Sequence, residues 1–326
     1  MGLWYLFRMT HKPVLLSAIK PTGDLHIGNY FGAMRQQVEL TKEGKYKPFI
    51  FVADYHALNS VQNAEEMRRR TRELVTAYLA AGLNPEEVVL FRQSDVPAHT
   101  ELCWIFDSIT TMPYLMRAHA FKDAEARSKE ISVGTFNYPM LMAADILLYD
   151  AAVVPVGQDQ KQHVEFARDT AEKFNRIFNQ DVFKLPDAYI MPEVAVVPGT
   201  DGQKMSKSYG NVIPLFGSSE ELKRRVMSIV TDSSGSIPQN VYAIHTLVRS
   251  DAELKPIYEE HKGSYKELKE LLYADLERYL GPMRAKYEEL ATSPDIVDEV
   301  LEAGKQEART VSEAKMDQVR AAIGVR

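Results

Sequence analysis

The sequence predicts an α/β protein: a doubly wound parallel sheet followed by a C-terminal helical region. Three observations carry that reading. Short apolar runs closed by turn residues alternate with segments of helical periodicity over the first two thirds of the chain. Strand signals vanish after about Phe216, leaving only helical spacing. The 326 residues, 45% hydrophobic and 26% charged, are enough to fill a substantial core divided between two lobes.

Taken in order, residues 14–19 form an apolar run ending in Lys20-Pro21-Thr22-Gly23, after which helical spacing holds from about Gly28 to Leu40. That is strand, loop, helix. Residues 49–53 and 65–81 repeat the pattern, and residues 88–91 supply a third strand. Alternation of this kind favours parallel strands with right-handed crossovers. Residues 138–149 read as a buried helix, 152–156 as a strand and 160–178 as a long helix of mixed charge. Beyond Phe216, helices are expected over 220–230, 242–249, 265–286 and 295–323. The expected division is a tail at 1–10, an α/β domain at 11–216 and a helical region at 217–326.

The net charge of −6 excludes a wholly basic nucleic-acid coat but not a local cationic stripe. Cys103 is the single cysteine, so no internal disulfide or multi-cysteine metal site forms, which suits a reducing, cytoplasmic setting. The apolar start, residues 1–8, is too short for the hydrophobic part of a signal sequence. The longest apolar stretch, 138–156, is broken by Asp145, Asp150 and Pro155, so no membrane span is expected.

Two loops carry chemistry. Pro21-Thr22-Gly23-Asp24-Leu25-His26-Ile27-Gly28-Asn29 lies between strand and helix, where unsatisfied helix N–H groups attract phosphate. Gly23 and Gly28 allow close backbone approach, and His26 can donate to a phosphoryl oxygen. The same residues also read as a plain glycine turn with an exposed histidine. Lys204-Met205-Ser206-Lys207-Ser208 follows the turn-rich Pro198-Gly199-Thr200-Asp201-Gly202. Its two lysines can close over a triphosphate and stabilise charge on departing pyrophosphate, or simply form a solvated surface.

Together, in this order and in these settings, the loops resemble the paired motifs of the class I aminoacyl-tRNA synthetases. The first reads His26-Ile27-Gly28-Asn29, with Asn at the last place, and the second matches at all five places. Three further stretches, Phe51-Val52-Ala53-Asp54-Tyr55-His56-Ala57, Met142-Ala143-Ala144-Asp145 with its flanks, and Val154-Pro155-Val156-Gly157-Gln158-Asp159-Gln160, resemble the tryptophanyl enzymes within that class.

The resemblance implies a Rossmann-like catalytic domain, L-tryptophan, ATP and tRNA(Trp) as substrates, Mg²⁺ to compensate phosphate charge, and a homodimer whose helical region reads the anticodon. It makes His26, Asn29, Lys204 and Lys207 the groups that stabilise the transition state of adenylate formation. Lys20, Pro21, Thr22, Gly28 and Asn29 would hold ATP from the first loop, and Lys204, Met205, Ser206, Lys207 and Ser208 from the second. Gly157, Gln158 and Asp159 would hold its ribose and adenine side, with Val196 giving backbone contacts to adenine. Asp159 also reads as an N-cap of the helix that follows.

Leu16, His56, Tyr138, Met142, Asp145 and Gln160 would surround tryptophan, Asp145 accepting the indole N–H. Indole can only donate, so the pocket needs one acceptor, and a carboxylate in an otherwise apolar helix needs donors. From spacing alone, Asp145 also reads as a cap or the partner of a lysine. Tyr138 and Met142, seven and three residues before it, share its helix face.

Lys223-Arg224-Arg225 and Arg68-Arg69-Arg70-Thr71-Arg72 are candidate phosphate contacts that also read as solvated or locally paired faces. Two positions depart from the family's usual pattern: Leu16, where an aromatic is common, and Lys20, where glutamine commonly precedes the Pro-Thr-Gly turn. The alternatives are a tyrosyl enzyme and a synthetase-like paralogue that binds without charging tRNA.

Overall fold

The computed structural model describes residues 12–126, 130–157, 160–190, 196–231 and 237–325. The expected tail, together with Gln158 and Asp159, lies outside them.

Strand β1 (Val14–Ile19) leads through the first loop into helix α1, which runs through Ile27–Asn29, a wide π turn over Tyr30–Met34, and Arg35–Lys42. Strand β2 (Lys47–Val52), the short helix α2 (Asp54–Ala57) and helix α3 (Ala64–Ala80) follow, then β3 (Val89–Arg92). The next layer is helical: α4 (Ala98–Ile109), α5 (Met112–Leu115), α6 (His119–Ala126) and α7 (Val133–Leu147). Strand β4 (Val153–Val156), helix α8 (Lys161–Phe178) and strand β5 (Asp187–Ile190) complete the sheet. Helices α9 (Ser219–Met227), α10 (Gln239–His245), α11 (Asp251–Glu260), α12 (Tyr265–Ala291) and α13 (Pro294–Ile323) form the rest.

The five strands pair in the order β3-β2-β1-β4-β5, all parallel, so the expected sheet is present. Winding reverses between β1 and β4, which opens a crevice at the carboxyl end of β1. Successive strand residues face opposite ways. Phe49, Phe51 and Phe91 enter one core with α4, α7 and α8, while Ile50, Val52 and Leu90 enter another with α1 and α3. That second core runs on without a break to Leu222, Leu254, Tyr258 and Leu276. Each such fully buried apolar side chain contributes roughly 1.5–3 kcal/mol.

Helix α13 returns to the sheet. A Cβ added at Gly304 would lie 2.0 Å from the Leu90 carbonyl oxygen, so only glycine lets the helix backbone rest on β3. Arg72 grips Asp298 at 2.9 Å, Arg320 reaches Glu101 at 2.6 Å, and Lys47 pairs with Glu307.

Several boundaries differ from expectation. The helix expected over 138–149 starts at Val133, because the Ser132 hydroxyl caps it by accepting Thr135 N–H at 3.2 Å, and Pro139 sits inside it. The expected 242–249 helix occupies Gln239–His245, and α11 follows as a separate helix begun by a Ser250–Glu253 capping box. Strand β5 was unexpected: three of its four residues are exposed, so it lacks an apolar alternation. Among the described residues no helix is long and apolar enough to cross a membrane.

Candidate active site

Two cavities open at the carboxyl end of β1 and share a wall made by Ala18, Lys20 and Gln37. The larger, about 1020 Å³, is bounded by the first loop, the π turn of α1 and the Lys204–Ser208 segment. The smaller, about 360 Å³, lies between β1, β4, α2 and α7. Both have the size of small-ligand sites.

In the larger cavity the first loop is held shut on itself and on a distant segment. The Asn29 side chain accepts the His26 N–H at 3.1 Å, while Ile27 N–H donates to the Ile213 carbonyl at 3.0 Å and Leu215 N–H to that of Leu25 at 3.0 Å. His26 is 7% exposed. Burial, then the charge of Lys207, lowers its pKa to about 4, so the ring is neutral at neutral pH. Gly23 has φ +126°, and a Cβ there would meet Lys207 Nζ at 2.2 Å. A side chain would therefore be strained and would displace the lysine.

The second loop is a pinned hairpin. Met205 N–H donates to Val197 O at 3.0 Å. Buried Asn211 accepts Ser206 N–H at 2.8 Å and donates to Asp201 at 2.7 Å and to the Lys204 carbonyl at 3.1 Å. This leaves Met205 buried and both lysines exposed to the cavity. Burial against the loop lowers the Lys207 pKa, opposed by Asp24 and reinforced by Arg70 and Arg69. Arg225 donates to the Gly210 carbonyl at 3.3 Å, and Val230 N–H to the Thr200 carbonyl at 2.7 Å, tying the loop to the helical region.

In the smaller cavity, Asp145 is 2% exposed and accepts three hydrogen bonds: from His56 Nε2 at 2.7 Å, Gln93 Nε2 at 2.7 Å and His99 Nδ1 at 2.6 Å. Burial pushes its carboxyl up, but the two imidazoles outweigh burial and hold it at about 2. It is ionised. The Tyr138 ring meets His56 edge-on at 4.6 Å, and the Lys20 ammonium sits 4.3 Å from the Tyr138 centroid. Lys20 is reached by solvent through the cavities, yet burial lowers its pKa. The ammonium thus stands between the two cavities, where an anion would be its natural partner.

The family model described as class I tRNA synthetases (W and Y) matches residues 8–293. A tryptophan–tRNA ligase of Fusobacterium nucleatum is 45% identical over 318 residues, covering 95% of this chain and 97% of its own. That of Campylobacter jejuni is 42% identical over 320 residues, covering 95% and 99%. The chain belongs to the tryptophanyl-tRNA synthetases. A crystal structure of the Campylobacter jejuni synthetase, complexed with ADP and tryptophan, superposes with a TM-score of 0.88 at 41% identity, covering 95% of this chain and 99% of that one. A tyrosyl-tRNA synthetase from Archaeoglobus fulgidus shares the fold alone, at 21% identity and a TM-score of 0.64. The reaction is accordingly that of a tryptophan–tRNA ligase: ATP-dependent activation of tryptophan, then transfer to tRNA.

For this synthetase the expected site residues fall into the two cavities, with Lys20 lining both. Lys20, Thr22, His26, Gly28, Asn29, Val196, Lys204, Met205, Ser206, Lys207 and Ser208 line the larger cavity. Leu16, His56, Tyr138, Met142, Asp145 and Gln160 line the smaller, as does Gly157, which was expected with the nucleotide. Pro21 is buried and lines neither.

Gln37, Gln93, His99, Tyr149 and Asn211 were not singled out from the sequence. Gln93 and His99 stand on either side of Ser94-Asp95-Val96-Pro97-Ala98, a polar turn before an apolar helix that carries no motif of its own. Within the basic runs Arg69 pairs with Glu73, Arg70 with Glu66, Arg72 with the distant Asp298 and Arg224 with Glu221, and Lys223 lies against the Tyr273 ring.

Proposed function

We propose that the larger cavity holds the ATP and the smaller one the tryptophan ring, with the tryptophan carboxylate and the α-phosphate meeting at the wall they share. The observation that carries this reading is that wall: Lys20 and Gln37 line both cavities, so ligands filling each would touch there. A carboxylate oxygen attacks the α-phosphorus, the new C–O–P linkage forms, and the bond to pyrophosphate breaks. Lys204 and Lys207 meet the charge that gathers on the departing oxygens, Asn29 positions the first loop, and neutral His26 offers a ring N–H. No protein nucleophile is required. The residues Pro21, Gln158 and Asp159 are assigned to ATP as well, Pro21 by shaping the turn.

A Mg²⁺ bound with the triphosphate would compensate phosphate charge, and Asp24 is the only carboxylate among the described residues lining the larger cavity. In the second step a terminal ribose hydroxyl of tRNA(Trp) attacks the adenylate carbonyl and AMP leaves.

The α/β part, 11–216, is the catalytic domain, and the helical region from 217 reads the anticodon. The working form is a cytoplasmic homodimer. Trp104, Met112 and Val133, 72%, 67% and 79% exposed, stand on the neighbouring elements α4, α5 and α7 and support a second copy there. Pyrophosphate exchange with tryptophan and tyrosine side by side, followed by charging of purified tRNA(Trp), tests the assignment. Exchange driven by tyrosine would overturn it. Sedimentation at micromolar concentration tests the dimer, which a monomer would refute.

A further inference from the structure

Gln93, His99 and Tyr149 line neither cavity, yet two of them hold the one carboxylate among the described residues lining the smaller one. His99 is fully buried, packed between the rings of Phe51, Phe91 and Tyr149 at 5.6, 6.2 and 5.5 Å. An ionised carboxylate only accepts, so every nitrogen facing Asp145 carries a hydrogen. That makes Nδ1 of His99 the protonated nitrogen. Its Nε2 lies 2.9 Å from the Tyr149 hydroxyl, which donates to it where the ring is neutral. Nδ1 of His56 is buried and makes no hydrogen bond within the protein.

Counting lone pairs gives the consequence. Oδ1 of Asp145 receives two donors and is full, whereas Oδ2 receives only His56 and keeps one position. The three donors that face the carboxylate are each engaged by it, so the position left at Oδ2 is an acceptor. An indole N–H, which only donates, is satisfied there. A phenol can donate its hydrogen, but an acceptor does nothing for the phenol's own lone pairs, the arrangement that discriminates most strongly.

We propose that the chain Tyr149–His99–Asp145, with Gln93, is the element that sets selectivity against tyrosine: positioning residues that fix the rotation of Asp145 and the protonation pattern around it. This rests on the reading that Asp145 receives the indole N–H.

Amino-acid-dependent pyrophosphate exchange tests it. His99→Phe keeps a ring among its aromatic neighbours but leaves Oδ1 one donor short. The expected result is a rise in tryptophan KM of about tenfold or more, a fall in the tryptophan-to-tyrosine ratio of kcat/KM, and an ATP KM within about twofold of the parent. His99→Gln, which restores a donor, recovers part of the loss. Tyr149→Phe removes only the bond that fixes the ring's tautomer and raises tryptophan KM about three- to fivefold, and it decides the matter if His99→Phe does not fold. Unchanged tryptophan KM in folded variants, or equal rises for tryptophan and ATP, overturns the proposal. Asp145→Ala run alongside separates the two levels. If it leaves tryptophan KM unchanged, the indole assignment itself fails and the proposal with it. If it acts while the His99 and Tyr149 variants do not, only the network fails.

Discussion

The two cavities meet at Lys20 but are built on opposite principles. The larger cavity is lined mainly by two short contiguous segments whose lysines, Lys204 and Lys207, form no ion pair among the described residues, Lys207 lying against Gly23. The ring side is made by single residues from β1, β2, α2, α7, β4 and the start of α8, around a carboxylate that already has three donors. Charge on the first side is held in reserve for the ligand. On the second it is part of the fold, so changing it alters stability and affinity together.

The largest expected effect comes from removing a reserved charge. Lys207→Ala should lower kcat for tryptophan-dependent pyrophosphate exchange by roughly 10²–10³, the size seen when one transition-state donor is lost. Tryptophan KM and the unfolding midpoint should hardly move. A drop of several degrees in Tm would show that Lys207 is already committed to the fold and would erase the contrast.

Asp145→Ala should behave differently. Loss of a hydrogen bond to a charged acceptor predicts a rise in tryptophan KM of about 10- to 100-fold, with ATP KM little changed. It also leaves His56, Gln93 and His99 without their acceptor, so urea unfolding should show a loss of roughly 3–5 kcal/mol. The native carboxyl sits near 2, below the unfolded value of about 3.9, so its contribution is present above that unfolded value and is lost as pH falls through the native one. Acid unfolding of Asp145→Ala should consequently lose that pH dependence. A variant as stable as the parent would contradict the idea that this charge belongs to the fold.

The same contrast explains what was legible in the sequence. His26-Ile27-Gly28-Asn29 and Lys204–Ser208 each line the larger cavity as one contiguous loop, so both could be read as units. Strands β1 to β4 were legible because their apolar runs are buried on both faces. Asp145 was readable as an oddity, a carboxylate in an apolar helix, and Tyr138 and Met142 followed by helical spacing. Gln93, His99 and Tyr149 were not, because their roles arise from contacts 46 to 52 residues apart that no local pattern encodes. Asn211 is likewise invisible: it lies past the second loop, and its function is the three backbone and side-chain groups it collects. Strand β5 escaped because an exposed edge carries no alternation.

Asn211 offers an intermediate test on the nucleotide side. Asn211→Ala removes the acceptor of Ser206 N–H and the donor to the Lys204 carbonyl, leaving the lysines on a looser hairpin. Because misplacement, not loss, of the charges is at issue, kcat should fall by about tenfold, less than for Lys207→Ala, with tryptophan KM unaffected. Single-turnover adenylate formation measures it directly. A change confined to tryptophan KM would mean that the hairpin acts on the ring cavity instead.

The smallest effect concerns His26, where the two principles touch: a buried group on the side otherwise made of exposed ones. Burial, helped by Lys207, lowers its pKa from 6.5 to about 4. Between those two values the unfolded chain takes up a proton that the folded chain refuses, so stability falls as pH drops through that window and is flat above it. In the free protein the His26 ring resonances, followed by NMR, should titrate near 4. Lys207→Met should raise that value only in part, since burial is the larger cause. Bound phosphate should raise it as well, because a neighbouring anion favours the imidazolium. Titration at the ordinary value in the free protein would mean that the loop does not bury His26, and the ring would then belong with the exposed lysines as a charge held for the nucleotide.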